Sequence, residues 1–291
     1  MEAAKYLDSE VIEKMKNLLL AARFPVAGAF TGYHRSLLKG SAMEFAELRN
    51  YMPGDDLRRM DWKAYGRSDK FFLKEYESET NARAYFLLDT SGSMGFLGRD
   101  QVSRLYFAKK LIAHLSLLLL EQGDSVGVAQ RLHGELVAQR VRGEVNLHRI
   151  LSALDSQPAS GEERLGEQLH QLSRNLPRRS MVIIVSDFLT SLPELEEALQ
   201  HMRYHAHEIT CLQVLSEREL RFDEEASKAF TDLETGEILQ TNVDEIRELY
   251  REGMNTHLQE LKQICERSQT QYHRLVSEEP LEESILNLLS S

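Results

Sequence analysis

The sequence predicts an α/β fold in which a mostly parallel sheet is covered by helices on both faces. Two continuous apolar runs, 84–88 and 181–185, have the composition of central strands buried on both sides. Amphipathic helical segments alternate with strands from residue 84 onward. Two further strand-like runs are separated by His133 and Gly134, a spacing typical of a two-residue antiparallel hairpin.

The remaining elements are predicted in order along the chain. Asp8 or Ser9 caps a first helix, and the segment 24–68 that follows has no long regular periodicity. We therefore predict an N-terminal helical and irregular segment, 1–80, followed by an α/β domain, 81–291. After the strand at 84–88, the expected elements are a helix over about 100–122, the hairpin, helices from about 146 and over 162–175, a strand at 181–187, a helix opening at Pro193, a strand at 208–215, a hairpin turning at Thr235–Gly236, a helix over 243–267, and a last strand and helix.

Composition excludes several classes of protein. The 291 residues are 42% hydrophobic and carry a formal net charge of −11, which disfavours binding of a nucleic-acid backbone. The two cysteines, Cys211 and Cys265, lie in different predicted elements and indicate reduced core thiols. The N-terminus lacks a secretory pattern, and the longest apolar run, about 115–120, is too short for a bilayer. We expect a cytoplasmic protein without a transmembrane segment.

Oxygen-bearing side chains follow two of the predicted core strands. Asp89, Ser91 and Ser93 come directly after one strand, and Asp187 comes directly after another. The carboxyl ends of parallel strands meet at one edge of a sheet, where ligands bind in such folds. Carboxylate and hydroxyl oxygens suit Mg²⁺ or Mn²⁺, so these residues predict a divalent-metal site. The alternative is that they only satisfy backbone amides in a turn.

The same residues resemble the D-x-S-x-S motif of von Willebrand factor A domains, whose metal-ion-dependent adhesion site binds Mg²⁺. The resemblance implies a doubly wound, mostly parallel sheet with one antiparallel edge strand, and a metal held by Asp89, Ser91, Ser93 and Asp187. Those domains usually add a loop threonine. The stretch 142–151 lacks one, and Asn146 is its nearest oxygen donor.

A second motif precedes the predicted domain. The segment 44–62 resembles the family known as domain of unknown function 58, whose pattern is E-F-x-x-x-R-x-Y-x-P-G-D-D-x-R-x-x-D-W. Gly32, His34, Arg35, Ser36 and Gly40 upstream, and the later stretch FTDLETGE, fit the same family. The resemblance therefore spans nearly the whole chain.

This resemblance implies a non-enzymatic adaptor or chaperone-like protein that works with a MoxR-type AAA+ ATPase and a client protein. The residues expected to face a partner are Arg49, Tyr51, Asp55, Asp56, Arg58, Asp61 and Trp62. Arginine and aromatic side chains of this kind are enriched in interfaces. The competing interpretation is structural: the two arginines pair with neighbouring aspartates and the tryptophan packs.

The alternative to an interaction protein is an enzyme, namely a serine hydrolase. Ser93 resembles a loosened nucleophile elbow, which would require Asp187 and a histidine such as His205, His207 or His273. The helix starts too late after the serine for a true elbow. A scaffold with a vestigial, metal-free site is the third interpretation. The histidines at 201, 205 and 207 are explained as a helix end rather than as a zinc site.

Overall fold

The computed structural model describes residues 5–22, 43–50, 72–78, 82–132, 135–159, 164–222, 228–231, 238–241 and 243–290. The chain divides into two compact units. One unit comprises residues 34–81, and the other comprises residues 1–33 together with 82–291. The helix α1 (Ser9–Ala22) thus belongs to the same unit as the α/β elements.

A six-stranded sheet forms the centre of the larger unit. Its strands are β3 (Arg83–Leu88), β4 (Ser125–Leu132), β5 (Glu135–Arg142), β6 (Met181–Ser186), β7 (Glu208–Leu215) and β10 (Gln271–Val276). They lie in the order β10-β7-β6-β3-β4-β5, and β5 alone in this sheet runs antiparallel to its neighbour. The predicted mixed α/β fold with one antiparallel edge strand is confirmed.

The sheet is covered on both faces, which explains its continuous apolar strands. The helices are α2 (Arg104–Glu121), α3 (Leu147–Asp155), α4 (Leu165–Asn175), α5 (Leu192–Tyr204), α6 (Glu217–Arg221), α7 (Val243–Arg267) and α8 (Leu281–Ser290). One core contains β3 residues of even number, such as Phe86, with side chains from α1, α2, α3 and α8. The other contains odd-numbered β3 residues, such as Leu87, with α4, α5 and α7.

Local signals explain where the helices begin and end. Ser103 accepts a hydrogen bond from the Tyr106 amide (3.1 Å) and so starts α2 four residues later than the sequence suggested. Gly123, at φ 85°, takes the left-handed conformation expected after that helix. The long helix α7 has the predicted bounds, and the short helix α6 was not predicted. A further hairpin, β8 (Lys228–Thr231) with β9 (Ile238–Thr241), confirms the predicted pair, although its turn lies outside the described residues.

The smaller unit contains an antiparallel pair, β1 (Met43–Asn50) and β2 (Phe72–Ser78). The stretch 70–80 alternates apolar and polar residues, which is typical of a strand with one solvated face, whereas β1 falls in the segment interpreted as irregular. The register shifts between Phe45 and Glu47, which breaks the two-residue alternation that reveals a strand. Arg49 lies in β1 opposite Leu73. The other expected partner-facing residues, Tyr51, Asp55, Asp56, Arg58, Asp61 and Trp62, lie outside the described residues.

Two helical glycines give a test of how tightly the helices pack. A Cβ on Gly166 of α4 would lie 3.2 Å from the Glu194 carbonyl oxygen, whereas one on Gly253 of α7 would meet nothing within 4 Å. We expect Gly166→Ala to lower the free energy of unfolding by about 1 kcal/mol through overpacking. We expect Gly253→Ala to raise it by up to about 1 kcal/mol through helix propensity. Urea titration of both variants measures the difference, and equal shifts would contradict the close approach of α4 and α5.

Candidate functional site

The strand order reverses between β3 and β6, and this is where the predicted oxygen ligands meet. Leu88 pairs with Val185, and the amide of Asp89 donates to the Val185 carbonyl oxygen (2.9 Å). Asp89 and Asp187 therefore leave neighbouring strands at the same edge of the sheet. Both side chains are buried, with residue exposures of 5% and 1%. Such a reversal point is where ligands bind in open α/β sheets.

The loop after β3 places the two serine hydroxyls side by side. The Ser91 amide donates to Asp89 Oδ1 (2.8 Å), and a 3₁₀ turn follows over Gly92–Gly95. This turn directs both serines the same way, so that Ser91 Oγ lies 3.0 Å from Ser93 Oγ. The second oxygen of Asp89 accepts a hydrogen bond from the Ser186 hydroxyl. The structure therefore brings four predicted residues to this edge of the sheet: Asp89, Ser91, Ser93 and Asp187.

A buried arginine that the sequence reading did not identify lies in the same cluster. Arg104, the first residue of α2, is only 1% exposed. Its Nη2 lies 3.0 Å from Asp187 Oδ2 and also donates to the Ser93 carbonyl oxygen. Its Nη1 donates to Glu219 Oε1 (2.8 Å). The guanidinium thus joins the loops that follow β3, β6 and β7.

The contact between Arg104 and Asp187 is an ion pair without hydrogen-bond alignment. Asp187 Oδ2 has no hydrogen-bond partner, although it is buried and only 3.0 Å from the guanidinium. The other oxygen, Oδ1, accepts from the Leu189 amide (3.0 Å). Phe188 between them adopts φ 55° with its side chain fully buried, a conformation that is costly for a non-glycine residue. Asp187 is therefore held in place through Oδ1, while Oδ2 has the charge of Arg104 beside it but no aligned donor.

Two glutamates support the cluster from the neighbouring strand ends. Glu219 forms a capping box with Ser216, whose amide donates to Glu219 Oε2 (3.0 Å), and its other oxygen holds Arg104. Glu278, after β10, accepts from the Ser216 hydroxyl (2.6 Å) and the Glu217 amide (3.0 Å). Burial acts to raise the pKa of Glu278, but these hydrogen bonds outweigh it and lower that pKa.

The charges of this cluster do not balance. Asp187 and Glu219 share the guanidinium of Arg104, and Asp89 adds a third buried carboxyl that is close enough to Asp187 to feel its charge. Burial, followed by the negative charge of Asp187, raises the pKa of Asp89 from its ordinary value of 3.8 to about 6. Burial likewise raises the pKa of Glu219, although Arg104 opposes the shift. An additional cation would relieve this excess of negative charge.

Asn146 does not join the cluster. It follows β5, which runs antiparallel, and Arg142 at the end of β5 pairs with Ser125 at the start of β4. Asn146 Nδ2 donates to the Arg142 carbonyl oxygen (2.8 Å), so it lies at the amino-terminal edge of the parallel strands. The expectation that Asn146 replaces a loop threonine is not met, because the antiparallel strand carries it to the opposite edge.

The loop after α3 reaches the strand-end edge instead. Ser156, Gln157 and Pro158 line a cavity of about 270 Å³ together with Thr90, the residue between Asp89 and Ser91. Arg131 of β4 also lines this cavity. The cluster at the strand ends is therefore bordered by a cleft that both polar and apolar residues line.

The histidines required by a hydrolase are not near Ser93. His205 and His207 precede β7, which begins at the edge opposite Ser93, and His273 lies within β10. The hydroxyl of Ser93 contacts the hydroxyl of Ser91. A Ser-His-Asp arrangement needs an imidazole in hydrogen-bond reach of the serine. The placement of these residues thus gives no support to a serine nucleophile.

The oxygen atoms at the strand ends fit a hard divalent cation. Ligands at about 2.0–2.1 Å from Mg²⁺ in adjacent octahedral positions lie about 3 Å apart, and the two serine hydroxyls are 3.0 Å apart. Asp187 Oδ2, which has no aligned hydrogen-bond donor and lies 3.0 Å from the Arg104 guanidinium, is a further acceptor at the same edge of the sheet. No group of three His, Cys, Asp or Glu side chains is arranged as a metal set in the described residues, so the hydroxyls are essential to this fit.

Comparison with known proteins places the chain in a family. The model of the family described as "Protein of unknown function DUF58" matches residues 47–260. The chain belongs to the DUF58 family. Its match covers both the segment before the sheet and the strands that carry Asp89 and Asp187. The resemblance noted in the sequence is therefore confirmed.

The chain is also similar to two mycobacterial proteins. The chain is 25% identical over 243 residues to "Uncharacterized protein Rv1480" of Mycobacterium tuberculosis and to "Uncharacterized protein Mb1516" of Mycobacterium bovis. In both cases the match covers 81% of this chain and 75% of the relative. These names assign no activity.

Two solved structures resemble the chain more distantly. One is the "conserved hypothetical protein BatB" from Bacteroides thetaiotaomicron, with 19% identity, a TM-score of 0.43, and coverage of 72% of this chain and 97% of that one. The other is an "aerotolerance-related membrane protein" from Bacteroides fragilis, with 18% identity, a TM-score of 0.45, and coverage of 72% and 98%. In the described part of this DUF58 chain, no helix has the length and apolar character to cross a membrane.

Proposed function

We propose that this DUF58 protein is a non-enzymatic interaction protein that captures a carboxylate of a partner through Mg²⁺ or Mn²⁺ at the strand-end edge. The observation that carries this proposal is the convergence of Asp89, Asp187 and two hydroxyls around an uncompensated negative charge. In the protein, Ser91 and Ser93 would hold the ion, and Asp89 and Asp187 would stabilise it. The bound ion supplies the positive charge that an incoming acidic side chain would complete.

The surroundings of the ion site support a docking role. Leu97 and Leu189 are 43% and 42% exposed, and they follow Ser93 by four residues and Asp187 by two. Apolar side chains around a specific polar centre are typical of the core of an interface. Phe96 lies between the guanidinium groups of Arg104 and Arg218, each 5.4 Å from its ring, which fixes the loop that bears Leu97.

The partner class follows from the family resemblance alone. We propose a MoxR-type AAA+ ATPase as the partner, with an additional client protein, in the cytoplasm. Under this proposal the strand-end edge would bind one protein. The segment with Arg49, Tyr51, Asp55, Asp56, Arg58, Asp61 and Trp62 would provide a second surface.

Metal binding is tested by isothermal titration with MgCl₂. We expect Ser91→Ala and Ser93→Ala each to weaken Mg²⁺ binding by at least about tenfold, because each removes a direct oxygen ligand. Asn146→Ala is the matched control and should bind Mg²⁺ as the wild type does, since Asn146 lies at the other edge. Identical isotherms for all four proteins, or no binding by the wild type, would reject the ion site.

Partner capture is tested separately from metal binding. A purified MoxR-type ATPase should be retained by the immobilised protein in Mg²⁺ and released by EDTA. The double variant Leu97→Ser/Leu189→Ser should lose this retention while it keeps its Mg²⁺ isotherm. Val145→Ser, which changes an 87% exposed residue at the opposite edge, should retain the ATPase. Retention that is indifferent to EDTA and to the leucine variants would contradict docking at the strand ends.

A further inference from the structure

Four imidazole rings form a continuous cluster that the strand-end site does not use. His170 of α4 meets His201 of α5, with ring centroids 5.1 Å apart. His201 in turn contacts His205 (5.0 Å), and His205 stacks on His207 (6.3 Å). The sequence indicated a group of only His201, His205 and His207. It did not indicate His170, which is 31 residues away from His201 and on another helix.

The closest pair of nitrogens in this cluster lies between the two helices. His170 Nδ1 is 3.0 Å from His201 Nδ1. At this distance one nitrogen donates its proton to the lone pair of the other, and a metal ion bound to both nitrogens would displace that proton. Both rings are half-buried, so the pair is partly shielded from solvent while remaining reachable. Two neutral imidazoles facing each other are the form in which histidine binds metals.

The electrostatic surroundings favour the neutral form. Burial, followed by the neighbouring His170 and His205, lowers the pKa of His201. Arg174 lowers that pKa further, and Glu197, one turn earlier on α5, opposes the shift. His207 is fully buried at the end of the cluster, and burial lowers its pKa to about 4. The His201 and His207 rings therefore hold a proton more weakly than an ordinary histidine does.

We propose that His170 and His201 form a transition-metal site between α4 and α5, suited to Ni²⁺ or Cu²⁺. Metal–nitrogen bonds of about 2.0–2.1 Å to two nitrogens 3.0 Å apart enclose an angle of about 94°. Square-planar and octahedral ions have such angles, whereas tetrahedral Zn²⁺ requires a wider one. No third His, Cys, Asp or Glu completes the set in the described residues, so water fills the remaining positions.

Titration with NiSO₄ after removal of any affinity tag tests the site. The wild type should bind one Ni²⁺, and His170→Gln and His201→Gln should each weaken binding by at least about tenfold, since even loss of an outer-shell partner costs 10–100-fold. His148→Gln is the matched control, because the exposed His148 ring lies outside the cluster, 2.9 Å from the Val145 carbonyl oxygen. Binding should also weaken in acid, because protons compete with the metal for the imidazole nitrogens.

A second measurement separates loss of ligand from loss of fold. Electron paramagnetic resonance of the Cu²⁺-loaded wild type should show coupling to two nitrogens, and each variant should show one. Circular dichroism in EDTA should be the same for all proteins. Equal Ni²⁺ affinity in the wild type and His170→Gln, or a Cu²⁺ spectrum without two-nitrogen coupling, would overturn the site.

Discussion

Asp89→Asn is expected to make the metal-free protein more stable at pH 8, although it removes a residue of the ion site. The folded-state pKa of Asp89, about 6, lies above its ordinary value of 3.8. The folded protein therefore carries the full penalty for the ionised carboxylate above pH 6, and this penalty decreases as the pH falls from 6 to about 3.8. A shift of this size corresponds to about 2–3 kcal/mol, or about 5–10 °C in the midpoint of thermal unfolding for a unit of this size.

The measurement is thermal unfolding of the wild type and Asp89→Asn in EDTA and in MgCl₂, at pH 8 and pH 5. At pH 8 the variant should unfold at a higher temperature in EDTA and show no further shift in MgCl₂. At pH 5 the difference in EDTA should fall to about half, because the folded wild type has then bound a proton at Asp89 while the unfolded chain has not. A variant that is more stable in EDTA but no longer stabilised by MgCl₂ shows that the ionised Asp89 costs stability for the sake of ion binding.

Asp124→Asn serves as the control for this prediction. Asp124 is also buried, burial raises its pKa to about 6, and its Oδ1 accepts from the Ala82 amide (2.8 Å) at the start of the strands. Its variant should change the pH dependence of stability but retain the stabilisation by MgCl₂. A wild type that MgCl₂ does not stabilise, or an Asp89→Asn variant that it still stabilises, would contradict the proposed role of Asp89.

Arg104→Met should produce the largest loss of stability. Removing the guanidinium leaves Asp187 and Glu219 buried without their cation, and breaking a buried ion pair on one side costs about 3–5 kcal/mol. Urea unfolding in EDTA measures the loss. Arg267→Met, which breaks an exposed two-bond contact with Glu196 (2.9 and 3.1 Å), should cost less than about 1 kcal/mol.

A rescue variant distinguishes lost charge compensation from lost packing. In Arg104→Met/Asp187→Asn/Glu219→Gln the two unpaired charges are also removed, so most of the lost stability should return. If the triple variant is as unstable as Arg104→Met, packing of the arginine dominates. If Arg104→Met costs no more than Arg267→Met, the buried network does not hold the three loops together.

The central fold could be predicted because its elements have distinct patterns. The fully apolar β3 and β6 and the long helix α7 needed only local sequence to be recognised. The strand β1 could not be recognised in this way, since its bulge interrupts the alternation of apolar and polar residues. The short helix α6 depends on a capping box of Ser216 and Glu219, and its five residues give no periodicity to detect.

The site was predictable only in part, and for a topological reason. Asp89 and Asp187 follow parallel strands, so their sequence positions were enough to place them at one edge. The predicted hairpin also implied that β5 runs the other way and carries Asn146 to the opposite edge, and this step was missed. Arg104 gave no signal, because a charged residue at a helix start is ordinarily exposed. Its burial depends on carboxylates from Asp187 and Glu219, far along the chain.

The contacts of Glu278 impose an order on the assembly of this edge. Glu278 holds Ser216 and the Glu217 amide, and Ser216 in turn holds Glu219 against Arg104. A chain still being synthesised contains Asp89 and both serines long before it contains this last carboxylate. The contacts of Glu278 with Ser216 and Glu217 can therefore form only after the ribosome has released residue 278. Until then, the nascent protein lacks this part of the strand-end edge.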